Sequence, residues 1–199
     1  MSKQPTYELD RNQAIPAILG NHEDFLIVTG LAGTARDLGF LTKDGDHVYT
    51  MAGAMGAATA MGLGLALAQP ERRVLVVTGD GELLMNVGTL STVGVLNPPN
   101  LSILCVDNGH YGETGWQQSH TSKGVDLEAI ARGSGISATR TVETEADLEA
   151  GAKLLREGNG ASFVLMRVTT SESPKFKRDM DPSSCRVRFR RALLGRVAD

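Results

Sequence analysis

The chain has 199 residues, 41% of them apolar, and carries 20 Lys and Arg against 23 Asp and Glu, a net charge of −3. This length suits one globular domain with a core of ordinary size, and the apolar content excludes disorder of the whole chain. Its 2 cysteines cannot build a disulfide framework or a cysteine-based zinc site, and the slightly acidic charge argues against a nucleic-acid-binding protein.

The sequence contains neither a membrane segment nor a secretory signal. No segment is an unbroken run of the about 18 apolar residues that a membrane span requires. The longest candidate, residues 51–68, is rich in Gly and Ala, and residues 1–12 are polar. We therefore expect a protein without a membrane span that works in the cytoplasm.

Four short apolar runs, each bounded by turn residues, predict strands that are buried on both faces, as in a parallel sheet. The runs are 25–29, 74–78, 101–106 and 163–168. Helical patterns cover 54–68, 83–96, 127–133 and 146–157. The alternation of strand and helix predicts an α/β fold with a doubly wound, mainly parallel sheet flanked by helices.

The predicted domain covers residues 1–170, and residues 171–199 form a C-terminal arm of different character. The arm begins with Ser-Glu-Ser-Pro-Lys and later carries several arginines around Phe189. One interpretation is a docked arm or short helix with a solvated basic face. The alternative is an arm that contacts another subunit or faces the substrate.

Polar residues directly follow the two central apolar runs, as Gly79-Asp80-Gly81-Glu82 and as Asp107-Asn108-Gly109-His110. In an open α/β sheet these strand ends are neighbours, and ligands bind beyond them. Asp80 and Asn108 offer the hard oxygen ligands that Mg²⁺ prefers. The glycines, and a helix predicted to begin near Leu83, let backbone N–H groups approach an anion. The pattern therefore predicts a metal-bridged diphosphate site.

The spacing of these residues carries a family resemblance. Gly79-Asp80-Gly81, followed after one helix and one strand by Asn108, resembles the signature of thiamine-diphosphate enzymes. A second match lies upstream, where the resemblance implies that Met55 wedges between the two rings of the cofactor. It also implies that the Gly53 carbonyl accepts a hydrogen bond from the 4′-amino group. The competing interpretation is that Met55 is core filler at a helix start.

The resemblance implies roles for further residues of these segments. Asp80 and Asn108 would bind Mg²⁺ through their side chains, and His110 through its main-chain carbonyl. The residues expected to contact the cofactor are Gly30, Gly33, Thr34, Ala35, Gly53, Met55, Gly79, Asp80, Gly81, Glu82, Asn108, His110, Tyr111 and Gly112. Gln117 and His120 are candidates for substrate contact or proton relay, and the alternative is that they belong to a mobile polar loop.

A partner subunit is implied by what the chain lacks. In this family a glutamate on a separate pyrimidine-binding domain activates the cofactor, and that domain is about as large as this whole chain. The strand and helix patterns here account for one domain only. The resemblance therefore implies the diphosphate-binding half of an enzyme. The activating glutamate would then come from a pyrimidine-binding partner in a hetero-oligomer, an α₂β₂ or larger assembly.

Three longer segments resemble sulfopyruvate and phosphonopyruvate decarboxylases, namely 33–38, 84–92 and 107–117, and so does the terminal Arg188-Phe189. Sulfopyruvate decarboxylase is split into two short subunits in some members, which suits this length. One departure is that Trp116 stands where that group tends to have Gly. A Trp near the substrate would alter the size and polarity of the pocket, or it packs at a subunit interface.

The predicted function is therefore thiamine-diphosphate-dependent decarboxylation of a small 2-oxo acid, with release of CO₂ and an aldehyde. A carboligase of the acetolactate-synthase kind shares every residue named above, and a non-catalytic regulatory subunit of the same fold is a third alternative. A Rossmann-type nucleotide-binding module is disfavoured. Its glycine fingerprint is represented only by a fragment at 62–66, which follows a helical pattern rather than a strand.

Overall fold

A six-stranded parallel sheet forms the centre of the computed structural model, which describes residues 7–51 and 53–194. Its strands are β1 (Leu26–Thr29), β2 (Val48–Thr50), β3 (Val74–Gly79), β4 (Leu101–Asp107), β7 (Ala138–Val142) and β8 (Ser162–Arg167). Their spatial order is β2-β1-β3-β4-β8-β7, with every neighbouring pair parallel. A separate small antiparallel hairpin consists of β5 (His110–Tyr111) and β6 (Gln117–Gln118).

Helices cover both faces of the sheet. They are α1 (Arg11–Leu19), α2 (Gly33–Thr42), α3 (Ala58–Ala68), α4 (Asp80–Met85), α5 (Thr89–Leu96), α6 (Leu127–Gly133), α7 (Leu148–Glu157) and α8 (Pro182–Leu194). Helices α1, α2 and α7 pack on one face, and α3, α4, α5, α6 and α8 pack on the other. Among the helices described, none is both long and apolar enough to cross a bilayer. This arrangement confirms the predicted doubly wound α/β fold.

The central strands are buried because alternate side chains enter two separate cores. In β4, Ile103 and Cys105 belong to one core cluster, whereas Leu104 and Val106 belong to the other. Both faces are therefore apolar, which explains why these strands appear in the sequence as continuous apolar runs. All four predicted strands are confirmed, and their ends shift by about one residue, the usual uncertainty of such boundaries.

The two edge strands were missed because they lack such a run. Strand β2 has only three residues, and β7 is a polar strand with exposed Arg140. An edge strand has one neighbour, so part of its surface remains in water and its sequence carries a weaker pattern.

Two helix predictions need correction, and glycine and asparagine explain both. The pattern over 54–68 becomes helical only at Ala58, because Gly53 and Gly56 have positive φ angles of 76° and 87° that a helix does not allow. The single helix predicted over 83–96 is two helices, α4 and α5, separated at residues 86–88 by a turn that contains Asn and Gly. Helix α4 begins at Asp80, not near Leu83.

The C-terminal arm is docked on the domain. Its residues 171–181 carry no regular secondary structure, and they lead into helix α8. The helix packs Phe189 edge-on against Tyr49 of β2, with ring centroids 5.6 Å apart and an interplanar angle of 82°. Buried Cys185 lies on the same helix. Residues 195–199 lie outside the described part of the chain.

A stacked histidine pair lies at the opposite end of the sheet from the carboxyl ends of β1, β3 and β4. His22 and His47 precede β1 and β2, and their rings are parallel within 2° with centroids 5.0 Å apart. His22 Nδ1 lies 3.0 Å from His47 Nε2. Burial, and then the nearby His22, lowers the pKa of His47 below its usual 6.5, although Glu23 and Asp46 act in the opposite direction.

The low pKa of His47 makes folding stability depend on pH. Because protonation of His47 is easier in the unfolded chain than in the folded one, stability contributed by the neutral ring is present above pH 6.5 and is lost as the pH falls below it. We expect His47→Asn to reduce the loss of unfolding free energy between pH 7.5 and pH 5, measured by urea denaturation. The exposed His120→Asn serves as the control, and equal pH profiles for wild type and H47N would contradict the assignment.

Candidate functional site

A cavity of about 700 Å³ lies at the carboxyl ends of β1, β3 and β4. Its floor consists of residues 31–34 after β1, of Gly79, Asp80 and Glu82 where β3 passes into α4, and of Asn108 after β4. The hairpin region 111–116 forms one wall, and residues 171–177 of the arm form another. The cavity therefore occupies the position at which open α/β sheets bind ligands.

The cavity brings together most of the predicted site residues. Those that line it are Gly33, Thr34, Met55, Gly79, Asp80, Glu82, Asn108, Tyr111 and Gly112. Gly30 and Gly81 lie directly behind the lining, where Gly30 contacts the Glu82 carboxylate and Gly81 contacts the Tyr111 ring. Ala35 is buried within α2.

Four further predicted site residues also lie outside the lining. Gly53 is exposed in the turn before α3, and His110 begins the hairpin with its amide donating to Asn108 Oδ1 at 3.0 Å. The Gln117 side chain donates to the Thr114 carbonyl at 2.8 Å, and His120 is exposed. The roles suggested for these residues stay predictions.

Asp80 is buried, and hydroxyl groups that sequence reasoning missed hold its side chain. Its carboxylate accepts a hydrogen bond from Ser119, and the Thr121 hydroxyl oxygen lies 3.2 Å from it. The hairpin returns these residues to the sheet edge, where the Ser119 amide donates to the Gly109 carbonyl at 2.8 Å. Ser and Thr at these positions carry no sequence pattern of their own, so only the folded hairpin identifies them.

A second buried carboxylate lies beside Asp80. The register that pairs Gly79 with Val106 makes Asp107 its neighbour at the sheet edge. Asp107 Oδ1 accepts hydrogen bonds from the Thr121 hydroxyl at 2.7 Å and the Gly109 amide at 2.9 Å. Its Oδ2 is buried and has no hydrogen-bond partner among the described residues.

Neither Asp80 nor Asp107 forms a salt bridge with a cation among the described residues. Burial raises the pKa of Asp80, and burial together with the charge of Asp80 raises the pKa of Asp107 to about 6. Arg167 acts on Asp107 from a distance, but its guanidinium is bonded to Glu143 at 2.5 Å. A cation at this edge would relieve the repulsion.

The oxygen groups of the cavity suit a hard cation whose remaining coordination positions are filled by a bound molecule. Asp80 and Asn108 line the same cavity. The described residues contain no cluster of three or more His, Cys, Asp or Glu side chains that could hold a metal alone. Mg²⁺ commonly binds through one or two protein groups, with phosphate oxygens and water completing its octahedron. The residues present therefore fit a metal that bridges the protein to a diphosphate.

Glu82 connects three parts of the site. Its Oε2 accepts a hydrogen bond of 2.7 Å from Thr78 at the end of β3, and its carboxylate fills the space where Gly30 lacks a side chain. Backbone N–H groups of Gly56 and Ala58, at the turn after Met55, also favour the charged carboxylate. Burial is the larger effect and raises the pKa of Glu82. Glu82 therefore joins the ends of β1 and β3, and its buried Oε1 has no hydrogen-bond partner among the described residues.

Met55 itself is not core filler. Its side chain is 38% exposed and lines the cavity. The wedge role of Met55 stays a prediction, but its position at the cavity wall is the one that role requires.

Substitution of Gly30 tests the packing around Glu82. A methyl group on Gly30 would lie 1.5 Å from Glu82 Oε2, so we expect Gly30→Ala to lower the free energy of unfolding by about 1–3 kcal/mol. The loss should shrink in the Glu82→Ala background, where the carboxylate is absent. Gly64→Ala is the matched control, because that glycine lies in helix α3 with open space around it and should be neutral or stabilising. Urea denaturation measures all four variants.

Comparisons with known proteins match this geometry to a family. Residues 31–166 match the family model described as the thiamine pyrophosphate enzyme, C-terminal TPP binding domain. A solved structure titled a putative thiamin diphosphate-dependent enzyme from Mycobacterium smegmatis superposes with a TM-score of 0.67 at 22% identity, over 82% of this chain and 32% of that one. At this identity the likeness supports the fold alone.

Curated relatives share more of the sequence. The sulfopyruvate decarboxylase subunit beta of Methanocaldococcus jannaschii is 42% identical over 62% of this chain and 64% of its own. The subunit of the same name from Methanothermobacter thermautotrophicus is 36% identical over 96% of this chain and 99% of its own. The phosphonopyruvate decarboxylase of Streptomyces viridochromogenes is 42% identical over 63% of this chain, but the match spans only 31% of that enzyme.

These matches confirm the resemblance that the sequence motifs indicated. The family model covers more than half of the chain, and one relative matches it almost from end to end. The protein therefore belongs to the thiamine pyrophosphate enzymes, as a C-terminal-type TPP-binding domain of the group that contains the sulfopyruvate and phosphonopyruvate decarboxylases.

Proposed function

We propose that this chain is the diphosphate-binding subunit of a thiamine-diphosphate-dependent 2-oxo acid decarboxylase that releases CO₂ and an aldehyde. One observation carries the proposal: a single cavity at the sheet edge contains the buried oxygen ligands of Asp80 and Asn108 on its floor and Met55 on its wall. Family membership adds the cofactor, and the names of the curated relatives add the reaction class.

The proposed cofactor site uses side chains for the metal and backbone for the diphosphate. Asp80 and Asn108 hold Mg²⁺ through their side chains, and His110 holds it through its carbonyl. The diphosphate is bound by backbone at Gly79, Gly81 and Glu82, by the loop Gly30, Gly33, Thr34 and Ala35, and by Tyr111 and Gly112. The burial of the neighbouring carboxylates Asp80 and Asp107 supports a cation at this position. When bound, thiamine diphosphate supplies a nucleophilic carbon and an electron sink.

Other residues of the chain orient the ligand and exclude water. Met55 presents a flexible apolar side chain to the cofactor rings, and Glu82 joins the end of β3 to Gly30 after β1. Trp116 and residues 171–177 of the arm both line the cavity. In this proposal the Gly53 carbonyl accepts a hydrogen bond from the 4′-amino group of the cofactor. Contact of Gln117 or His120 with the substrate stays a prediction, because neither side chain lines the cavity.

A pyrimidine-binding partner subunit completes the proposed enzyme. Met55 and Trp116 line the cavity yet are 38% and 39% exposed, so the cavity has an open side on which a second chain can be seated. Two relatives are named as beta subunits, which supports an enzyme built from more than one kind of chain. In this proposal the partner supplies the activating glutamate. The two kinds of chain form a hetero-oligomer, and this enzyme works in the cytoplasm.

A second candidate reaction uses the same site, and Trp116 does not separate it from the first. This residue lines the cavity where the decarboxylase group tends to have glycine, so the pocket is both smaller and more apolar at that point. A carboligase that joins the decarboxylated fragment to another carbonyl compound would use the same cofactor site. The product separates the two candidates, since decarboxylation alone yields an aldehyde and carboligation yields an acyloin or acetohydroxy acid.

Asp80→Asn tests the cofactor site. Loss of the carboxylate should weaken Mg²⁺-dependent binding of thiamine diphosphate by at least about 100-fold, since even groups behind a metal ligand affect affinity by about 10- to 100-fold. Quenching of the single tryptophan, Trp116, measures the affinity, because this residue lines the cavity. The exposed Glu145→Gln is the control. Unchanged affinity in D80N would refute the proposed metal site.

The reaction is tested on the complex. We expect the chain, purified with its natural partner and supplied with thiamine diphosphate and Mg²⁺, to release CO₂ and an aldehyde from small 2-oxo acids such as sulfopyruvate or phosphonopyruvate. The D80N complex, assembled to the same stoichiometry, should be inactive. A wild-type complex that binds the cofactor without releasing CO₂ would contradict the decarboxylase assignment and leave a regulatory subunit.

A further inference from the structure

The first part of the C-terminal arm is fixed against the domain where it forms the cavity wall. The Thr169 amide donates to the Leu9 carbonyl at 2.8 Å, and the Glu172 carbonyl accepts a hydrogen bond of 3.2 Å from Asn12. Farther along, the Phe176 ring packs so closely on Gly39 of α2 that a methyl group there would lie 2.8 Å from it. The backbone on either side of Phe176 is therefore held in one position.

Two exposed lysines flank this anchor and line the cavity. Lys175 and Lys177 are separated by the anchored Phe176, so their attachment points are set by the packing of that ring. Across the described part of the chain, neither lysine takes part in a salt bridge within 4.0 Å. Their charges are thus available to a ligand in the cavity.

The other cations of the cavity are already paired. The Arg11 guanidinium is bonded to buried Asp37 at 2.5 Å, and Arg36 is bonded to Glu113 across the cavity mouth. These pairs hold α1, α2 and the hairpin region together. Lys175 and Lys177 are therefore the cationic side chains of the lining that have no salt-bridge partner among the described residues.

A third cation of the arm follows these lysines. The buried Nη1 of Arg178 has no hydrogen-bond partner among the described residues. Burial, and then the charge of Arg36, lowers the pKa of Arg178, although Glu113 and Asp44 act in the opposite direction. Within residues 171–177 the two lysines outnumber the one carboxylate, Glu172, and a net positive charge beside a concave site attracts anions.

We propose that Lys175 and Lys177 form an oxyanion-binding wall that takes the second anionic group of the substrate, a sulfonate, phosphonate or carboxylate at the far end of the 2-oxo acid. The ligand's identity rests on the proposed function, whereas the anion site does not. The diphosphate of the cofactor offers the same chemistry. The substrate is favoured, because the diphosphate already has the backbone groups of the strand ends and the metal as partners.

The first arm of the test compares substrates on the assembled complex. The double variant Lys175→Gln and Lys177→Gln removes both charges and keeps side chains of similar shape. We expect it to raise the KM of a 2-oxo acid with a distal sulfonate or phosphonate about 10- to 100-fold, which is typical for loss of hydrogen bonds to a charged group. The kcat should change little, and the KM of pyruvate, which has no second anion, should stay the same. Lys153→Gln, an exposed lysine on α7, is the matched control.

The second arm measures binding without turnover on the full chain. Inorganic sulfate is the probe, and quenching of Trp116 reports its binding in wild type, in the double variant and in K153Q. We expect the dissociation constant of sulfate to rise about 10-fold or more in the double variant only, and the wild-type affinity to fall with ionic strength. Wild type that binds no sulfate, or binds it as well as the double variant does, overturns the proposal.

The third arm separates the two sources of the anion. Affinity for thiamine diphosphate with Mg²⁺, measured by the same quenching, should be unchanged in the double variant. A loss of cofactor affinity with an unchanged substrate KM would overturn the substrate assignment. It would show that the two lysines bind the diphosphate of the cofactor instead. Failure of the proposed decarboxylase is recognised separately, since wild-type complex would then release no CO₂ while lysine-dependent sulfate binding remained measurable.

Discussion

The burial of two neighbouring carboxylates at the sheet edge is the constraint on which the rest of this structure depends. Asp107 ends β4 and Asp80 directly follows β3, and burial raises the pKa of both carboxyl groups, while the charge of Asp80 further raises the pKa of Asp107. Isolated buried charges destabilise a fold unless hydrogen bonds or a cation compensate them. Here Ser119 and Thr121 supply the hydroxyl donors, so the hairpin that delivers them is as much a part of the site as the strands. Two carboxylates of this kind are typical of a functional site rather than of a stabilising one.

Segments far apart in the chain enclose the cavity, and polar contacts connect them in pairs. The Arg36–Glu113 pair joins α2 to the hairpin region, and buried Arg11 joins α1 to Asp37 in α2. The arm then covers the remaining side, with Phe176 seated on α2. The family model ends at residue 166, so it covers the floor and the hairpin wall but not the arm wall, although one relative matches almost the whole chain. The lysines proposed to bind the substrate belong to this arm wall.

The accuracy of the sequence-based predictions follows from how local each signal is. The strands at 74–79 and 101–107 were predictable, since burial on both faces forces a continuous apolar run. Helix α3 was placed four residues early because an Ala- and Gly-rich run hides the positive φ angles of Gly53 and Gly56. Edge strand β7 was missed because one of its sides faces water, so its sequence lacks a continuous apolar run. The errors therefore concentrate where few contacts act on a residue or where glycine permits an unusual backbone.

The sequence by itself determined the fold class and the position of Asp80 and Asn108 directly after two central strands, and the resemblance of its motifs indicated the family. The fold class and these positions follow from periodicity, which a linear chain records directly. Tertiary structure alone decided that Asp107 shares the buried edge, that Ser119 and Thr121 hold it, and that the arm forms a wall. Each of those features depends on contacts between residues distant in the chain, and no local pattern specifies which distant residues will meet. The polar residues of the cavity floor could be predicted from the sequence, whereas the residues that surround them could be identified only from the fold.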